Sequence, residues 1–162
     1  MYYPWSMDLE RELADPASRF ALSVFQLHGL LMRNGERITR SLGQSSAKWQ
    51  VLGRAGHGPQ SVAQMARDMG LARQSVQRVA DTLEQNGLVA FRDSPTDQRT
   101  FLVEITDQGR GVLSKIYEKN RAWAQRLLQK VPPETLTEAS SELERLARVL
   151  EELEKEEEQQ QP

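Results

Sequence analysis

Arg73, Gln74, Ser75, Gln77 and Arg78 crowd into six consecutive positions of the chain. Set on a helix, these side chains fall opposite Val76, Val79, Ala80 and Leu83, which share an apolar stripe. Arginine makes bidentate hydrogen bonds to guanine edges, and glutamine does the same with adenine. A serine hydroxyl donates to phosphate oxygens, which position a protein on a duplex without reading it. The chemistry on offer is therefore recognition of double-stranded DNA rather than bond making. Two acids on the same helix, Asp81 and Glu84, come toward its C-terminal half, where they need not approach a duplex. Further along, Arg92 and Arg99 flank the polar stretch Asp93–Gln98. Arginine is drawn into a narrow minor groove, where negative potential is concentrated. Asp97 stands two residues from Arg99, and an ion pair between them is expected to orient the arginine. Such an exposed pair contributes only about 0–1 kcal/mol.

Between Lys48 and Lys115 every cation is an arginine. The planar guanidinium fork matches phosphate and guanine geometry, whereas lysine acts as a point charge. Groups for covalent or acid–base chemistry are scarce by contrast. The chain has no cysteine and only two histidines, His28 and His57. That leaves no thiolate zinc site, disulfide or cysteine redox switch. His57 sits in a glycine-rich turn with no nucleophile or acid of a known motif beside it, and no phosphate loop is present. Neither catalytic residues nor a metal or cofactor is expected. His28, Met32 and Trp49 are the candidates for touching a small effector, on helices that would meet near the DNA-binding lobe. The plainer reading of Met32 and Trp49 is core packing, and His28 reads equally well as a satisfied interface residue.

The net charge of −2 is misleading until it is mapped. Residues 151–162 hold six Glu and one Lys, net −5, so the other 150 residues carry 20 cations and 17 anions, net +3. From Arg33 to Arg54 there are five cations and a single acid, Glu36. Charge asymmetry along a chain indicates partners better than the total does. The acidic end reads as a solvated helix terminus. The first residues, Met1 to Trp5, lack a cationic start and an apolar run, and no stretch approaches the roughly 18 apolar residues needed to span a bilayer. A soluble, cytoplasmic protein is expected, with no membrane partner.

These side chains need elements to hold them. Residues 1–14 show no period and read as an arm or a strap. Asp15-Pro16 is a helix start, and Phe20, Val24, Leu27, Leu31, Ile38 and Leu42 form one stripe over about 16–41. A second helix, about 46–54, carries Trp49, Val51 and Leu52. Ser61-Val62-Ala63-Gln64 reads as a capping box that opens a short third helix ending at Gly70. A fourth spans about 72–86 and closes at Asn86-Gly87. The period then changes to that of a hairpin: Leu88–Phe91, a polar tip, and Thr100–Ile105 with Phe101, Val103 and Ile105 on one face. Thr106 caps a long helix over about 107–131, and Pro132-Pro133 separates it from the last. There Leu136, Ala139, Leu143, Leu146, Leu150 and Leu153 fall at alternating spacings of 3 and 4, the seam of a helix pair.

A capped short helix, a tight turn, a longer helix and a hairpin make a winged helix-turn-helix, in which the second helix enters the major groove. The same shape also serves as a protein-interaction module without DNA, and that alternative stays open on spacing alone. The run Ser61–Ala66, the run Gln74–Val89, Pro95-Thr96-Asp97-Gln98-Arg99 and Ile105-Thr106-Asp107-Gln108-Gly109 resemble the MarR family of bacterial regulators. The resemblance implies a homodimer on a pseudo-palindromic operator, built from N- and C-terminal helices and regulated by a small ligand, often an aromatic acid. A repressor released by that ligand is the expected role, with activation left open by the sequence. One departure is Ala72, which cannot cap the recognition helix with its side chain. The expected fold is mainly α (α+β). Residues 1–42 form an arm and dimerisation helix, 43–105 the winged lobe, and 106–162 the C-terminal dimerisation helices with the acidic tail. Phe20, Val24, Leu27, Leu143, Leu146 and Leu150 are the expected dimer contacts, because neither stripe has an obvious partner in the winged core. Two recognition helices would then lie about 34 Å apart.

Overall fold

The computed structural model describes residues 15–97 and 99–160. The expected arm at 1–14, Gln98 in the hairpin tip and the last two residues lie outside the described residues. Helix α1 (Pro16–Thr39) starts as its sequence predicts: Asp15 Oδ2 accepts from the Ser18 amide at 2.9 Å, and Pro16 occupies the first turn. The helix tightens into a 3-10 turn at Arg40–Leu42 and ends on Gly43. Its buried residues, Asn34, Gly35, Ile38 and Thr39, all lie at the C-terminal end. That end is joined to α2 (Ser46–Gly56), where Glu36 Oε1 accepts from the Ser46 amide at 2.7 Å.

After α2 come β1 (Gln60–Ser61), α3 (Val62–Met69), α4 (Arg73–Gln85), β2 (Val89–Asp93) and β3 (Phe101–Ile105). The three strands form an antiparallel sheet in the order β1-β3-β2. The strand β1 is absent from the sequence reading, because two residues show no alternation. It forms because Gln60 and Ser61 lie opposite Val103 and Leu102. Val51, Leu52, Met65, Val76, Leu83 and Val103 are each at most 1% exposed and form one core, shared by α2, α3, α4 and the sheet. Burying a side chain of this size contributes about 1.5–3 kcal/mol, so this core is what holds the helix-turn-helix in shape. Of the expected β3 face, Val103 and Ile105 are buried, but Phe101 is 57% exposed, because it extends past the edge of the core.

Helix α5 (Asp107–Leu128) opens as predicted, with Thr106 Oγ1 accepting from the Gly109 amide at 3.0 Å. The Thr106 hydroxyl also donates to the Gly87 carbonyl at 2.7 Å, and its amide bonds Leu88 O at 3.1 Å. The start of α5 is thereby pulled onto the end of α4. A Cβ at Gly109 would run into the Leu88 carbonyl oxygen, so only glycine permits this approach.

Of the described residues, those up to Glu118 form one compact unit and those from Lys119 onward a second. The second contains the end of α5 and α6 (Pro133–Gln160), which begins after Pro132 as predicted. No residue of α6 is buried: Leu136 and Leu146 are half-buried, and Leu143, Leu150 and Leu153 are exposed.

Candidate nucleic-acid interface

Helices α3 and α4 meet at a turn that requires glycine. Gly70 has φ 60°, a left-handed conformation costing other residues roughly 1–2 kcal/mol. Its amide bonds the Arg67 carbonyl at 3.1 Å, closing α3 so that α4 leaves at once in a new direction. Ser61 caps α3 by accepting from the Gln64 amide at 3.1 Å. The reciprocal half of the expected capping box does not form. The Gln64 side chain turns away, donating to Asp68 Oδ1 at 2.6 Å and accepting from Arg67 at 2.6 Å. Ser61 lies opposite Leu102 in the sheet, and Gln64 finds its partners along α3 instead. Arg54 then fastens α2 to the end of α3, donating to the Asp68 carbonyl at 3.0 Å with a carboxylate contact at 3.6 Å.

With that brace, α4 sits on the core through Val76, Ala80 and Leu83, and its other faces are open. Ala72 occupies the N-cap position with φ −61° and ψ 132°, and no side chain caps the helix. The departure seen in the sequence thus leaves the first amides of α4 without a side-chain partner. Uncapped helix N-termini bind anions through free N–H groups and the positive dipole end. The five predicted side chains divide into two sets. Arg73, Gln74 and Arg78 are exposed, whereas Ser75 and Gln77 are half-buried. Gln77 Nε2 donates to Asp81 Oδ1 at 2.7 Å, a contact between residues four apart that their helical spacing allows but residue types did not announce.

The wing consists of β2, β3 and the turn between them. At its tip Ser94 N bonds Thr100 O at 3.0 Å, and Thr100 N bonds Asp97 O at 3.0 Å. The expected Asp97–Arg99 ion pair is not what the tip contains. Asp97 Oδ2 accepts from the Thr100 hydroxyl at 2.7 Å, and Oδ1 accepts from the Arg99 backbone amide at 3.0 Å. Both carboxylate oxygens are turned inward on the turn, which leaves the Arg99 guanidinium without an ion-pair partner among the described residues. The Thr100 hydroxyl first, and the Arg99 amide second, hold the Asp97 carboxyl below its ordinary value of 3.8. Arg92 contacts Glu104 Oε2 across the hairpin at 3.5 Å, with both side chains well exposed. Glu84 Oε1 accepts from the Phe91 amide at 3.3 Å, tying α4 to the outer edge of the wing. Sequence reasoning missed Glu104 and Glu84 as partners, since the strand register and the angle of α4 decide them.

Helix and wing enclose a cleft of about 500 Å³. Arg73, Gln77 and Asp81 line it from α4, and Phe91, Arg99 and Phe101 from the wing. Arg73 and Arg99, far apart in sequence, thus border one cavity.

The remaining predicted residues have other surroundings. His28 is exposed on α1. Met32 Sδ accepts from Gln50 Nε2 at 3.1 Å and from Ser46 Oγ at 3.4 Å, both on α2. Trp49 packs against the core of the winged lobe. Phe20 and Val24 are half-buried and Leu27 is 46% exposed, on a stretch of α1 that also exposes Leu22, Phe25 and Leu30. Leu143 and Leu150 are exposed and Leu146 is half-buried on α6.

Comparison with known proteins matches residues 55–101 to the model of the MarR family. An uncharacterised protein of Mycobacterium tuberculosis, Rv2011c, is 36% identical over 134 residues, which are 83% of this chain and 94% of its own length. Among solved structures, the transcriptional regulator BldR from Sulfolobus solfataricus aligns with a TM-score of 0.72 at 23% identity. It matches 82% of this chain and 97% of its own. CouR from Rhodococcus jostii RHA1, solved bound to p-coumaroyl-CoA, has a TM-score of 0.72 at 21% identity, over 83% of this chain and 94% of its own.

Proposed function

This chain belongs to the MarR family, whose members are transcriptional regulators and not enzymes, and on that premise we propose that it binds double-stranded DNA sequence-specifically as a homodimer. Helix α4 enters the major groove and the wing the adjacent minor groove. The observation that carries this is an exposed Arg73-Gln74-Arg78 face, uncapped at its N-terminus, on a helix whose Arg73 shares a cleft with Arg99, a wing arginine without an ion-pair partner among the described residues. Ser75 donates to a phosphate beside the helix start. Arg92, braced by Glu104, and Asp97, which shapes the tip, present the wing.

The dimer forms from residues 1–42 and 106–162 around the winged lobe of 43–105. The exposed apolar side chains on α1, and separately those on α6, support this, because clustered exposed apolar groups mark interaction surfaces. Phe20, Val24 and Leu27 on one element, and Leu143, Leu146 and Leu150 on the other, are the proposed contacts, and the operator is pseudo-palindromic to match. The protein acts as a repressor released by a small acid, for which His28, Met32 and Trp49 are the proposed contacts. The p-coumaroyl-CoA bound to CouR supports an aromatic acid or its thioester as the class. No described helix is long and apolar enough to cross a membrane, and we place the protein in the cytoplasm.

Fluorescence titration of labelled duplex at several salt concentrations tests the core of this reading. With about eight phosphate contacts per dimer, log K should fall with log salt at a slope of about −7. A flat salt response would instead favour an interaction module without DNA. A thermal-shift screen of phenolic acids and acyl thioesters tests the effector.

A further inference from the structure

We infer that Asp81 is a positioning residue for base recognition, and that it biases Gln77 toward bases carrying an amino group on their major-groove edge. The inference rests on the DNA-binding reading above and deepens it. An ionised carboxylate only accepts hydrogen bonds, so its partner must be a donor. Gln77 therefore turns its amide nitrogen to Asp81 Oδ1, at 2.7 Å. The amide oxygen is thereby directed away from Asp81, and among the described residues it accepts no hydrogen bond.

An unrestrained glutamine reads either edge, because a half-turn of its amide exchanges donor and acceptor. Here the half-turn would place Oε1 against Asp81 Oδ1, two acceptors at hydrogen-bond distance, and would lose the existing bond. The oxygen that faces outward suits adenine N6 or cytosine N4, both donors, and opposes guanine O6 and thymine O4, both acceptors. The second N–H of Gln77 stays free, so the bidentate contact with adenine survives the restraint; at guanine or thymine the same N–H can donate to O6 or O4, but the amide oxygen then finds no donor, so these bases are disfavoured rather than excluded. Both residues are half-buried on the wing side of α4, and both line the cleft beside Arg73. The carboxylate that looked like a bystander in the sequence thus sets the polarity of its neighbour.

The test uses the full chain and duplexes selected from a random library, with each base pair of the half-site then replaced in turn. Binding is read by fluorescence anisotropy for the wild type, Q77A, D81A, D81N and the double variant Q77A/D81A. The wild type should favour an amino-bearing base at one position, and Q77A should abolish that preference. D81A and D81N should lower it by about three- to tenfold, the worth of one hydrogen bond, with other positions unchanged. D81N keeps the side-chain shape but either donates or accepts, so it removes the restraint without removing bulk. The double variant should behave as Q77A does. The inference is overturned if D81N retains the wild-type preference, if D81A shifts preferences equally without Gln77, or if the selected site has no position that depends on Gln77. Absence of any duplex binding by the wild type is a different result, which overturns the DNA-binding reading itself.

Discussion

Arg78→Ala separates the folding and the binding roles of the recognition helix cleanly. The Arg78 side chain is exposed and makes no hydrogen bond or ion pair among the described residues; its backbone belongs to the helix, and its carbonyl also accepts from the Thr82 hydroxyl at 2.8 Å. Alanine keeps that carbonyl bond and has slightly better helix propensity, so stability should change by less than about 0.5 kcal/mol. Binding should respond very differently. A bidentate arginine–guanine contact discriminates by about 1–3 kcal/mol, roughly 5- to 150-fold per half-site. A dimer loses the contact twice, so the total is about 2–6 kcal/mol if the half-sites are independent. The assay is a titration of wild type and variant against the selected operator and against single-base-pair substitutions of it. Preference should relax at one base position per half-site, with the salt slope unchanged. An equal loss on every sequence, with a salt slope smaller by about one unit for each arginine removed, would show that Arg78 contacts phosphate and would refute its role in reading bases.

The wing should show the complementary behaviour. Arg99→Ala is expected to weaken binding with little change in major-groove preference, measured on the same panel of duplexes. Asp97→Ala removes both side-chain bonds that Asp97 makes in the tip, so amide exchange at Arg99 and Thr100 should accelerate while the melting temperature of the lobe hardly moves. Because the folded Asp97 carboxyl is held below its ordinary 3.8, its contribution is present above that value and is lost as pH falls through the lower folded value. Amide exchange at the tip, corrected for intrinsic rates, should therefore lose protection only at acidic pH, and an unchanged protection profile down to pH 2 would rule this out. Gly109→Ala forces a side chain onto the Leu88 carbonyl, and should destabilise the chain by several kcal/mol in denaturant titration. Wild-type stability in that variant would mean that α5 and the end of α4 are not in the contact described here.

Much of the candidate site was legible because it is local. The caps at Asp15, Ser61 and Thr106, the breaks at Gly43, Gly70 and Gly87, and the buried stripe Val76-Ala80-Leu83 depend on residues within one or two turns of each other. Such signals survive in a linear reading because backbone geometry alone relates the residues. What failed was pairwise and non-local, or depended on competition. Asp97 had two kinds of donor within reach, the guanidinium of Arg99 and the groups of the turn, and the turn won because its donors are held in place by the backbone. The Gln64 side chain likewise had a reciprocal bond available and did not take it.

The sequence by itself determined the helix-turn-helix, the presence of a wing and the residue types they expose, since periodicity and capping are properties of neighbouring residues. Only the tertiary structure decided which of those side chains act together. Strand register placed Arg92 beside Glu104 and drew Gln60-Ser61 into the sheet. Packing of α4 on the core brought Arg73 and Arg99 to one cleft and fastened Glu84 to the wing. The physical reason is that a side chain's partner is set by angles and distances between elements, and these follow from how the whole core packs.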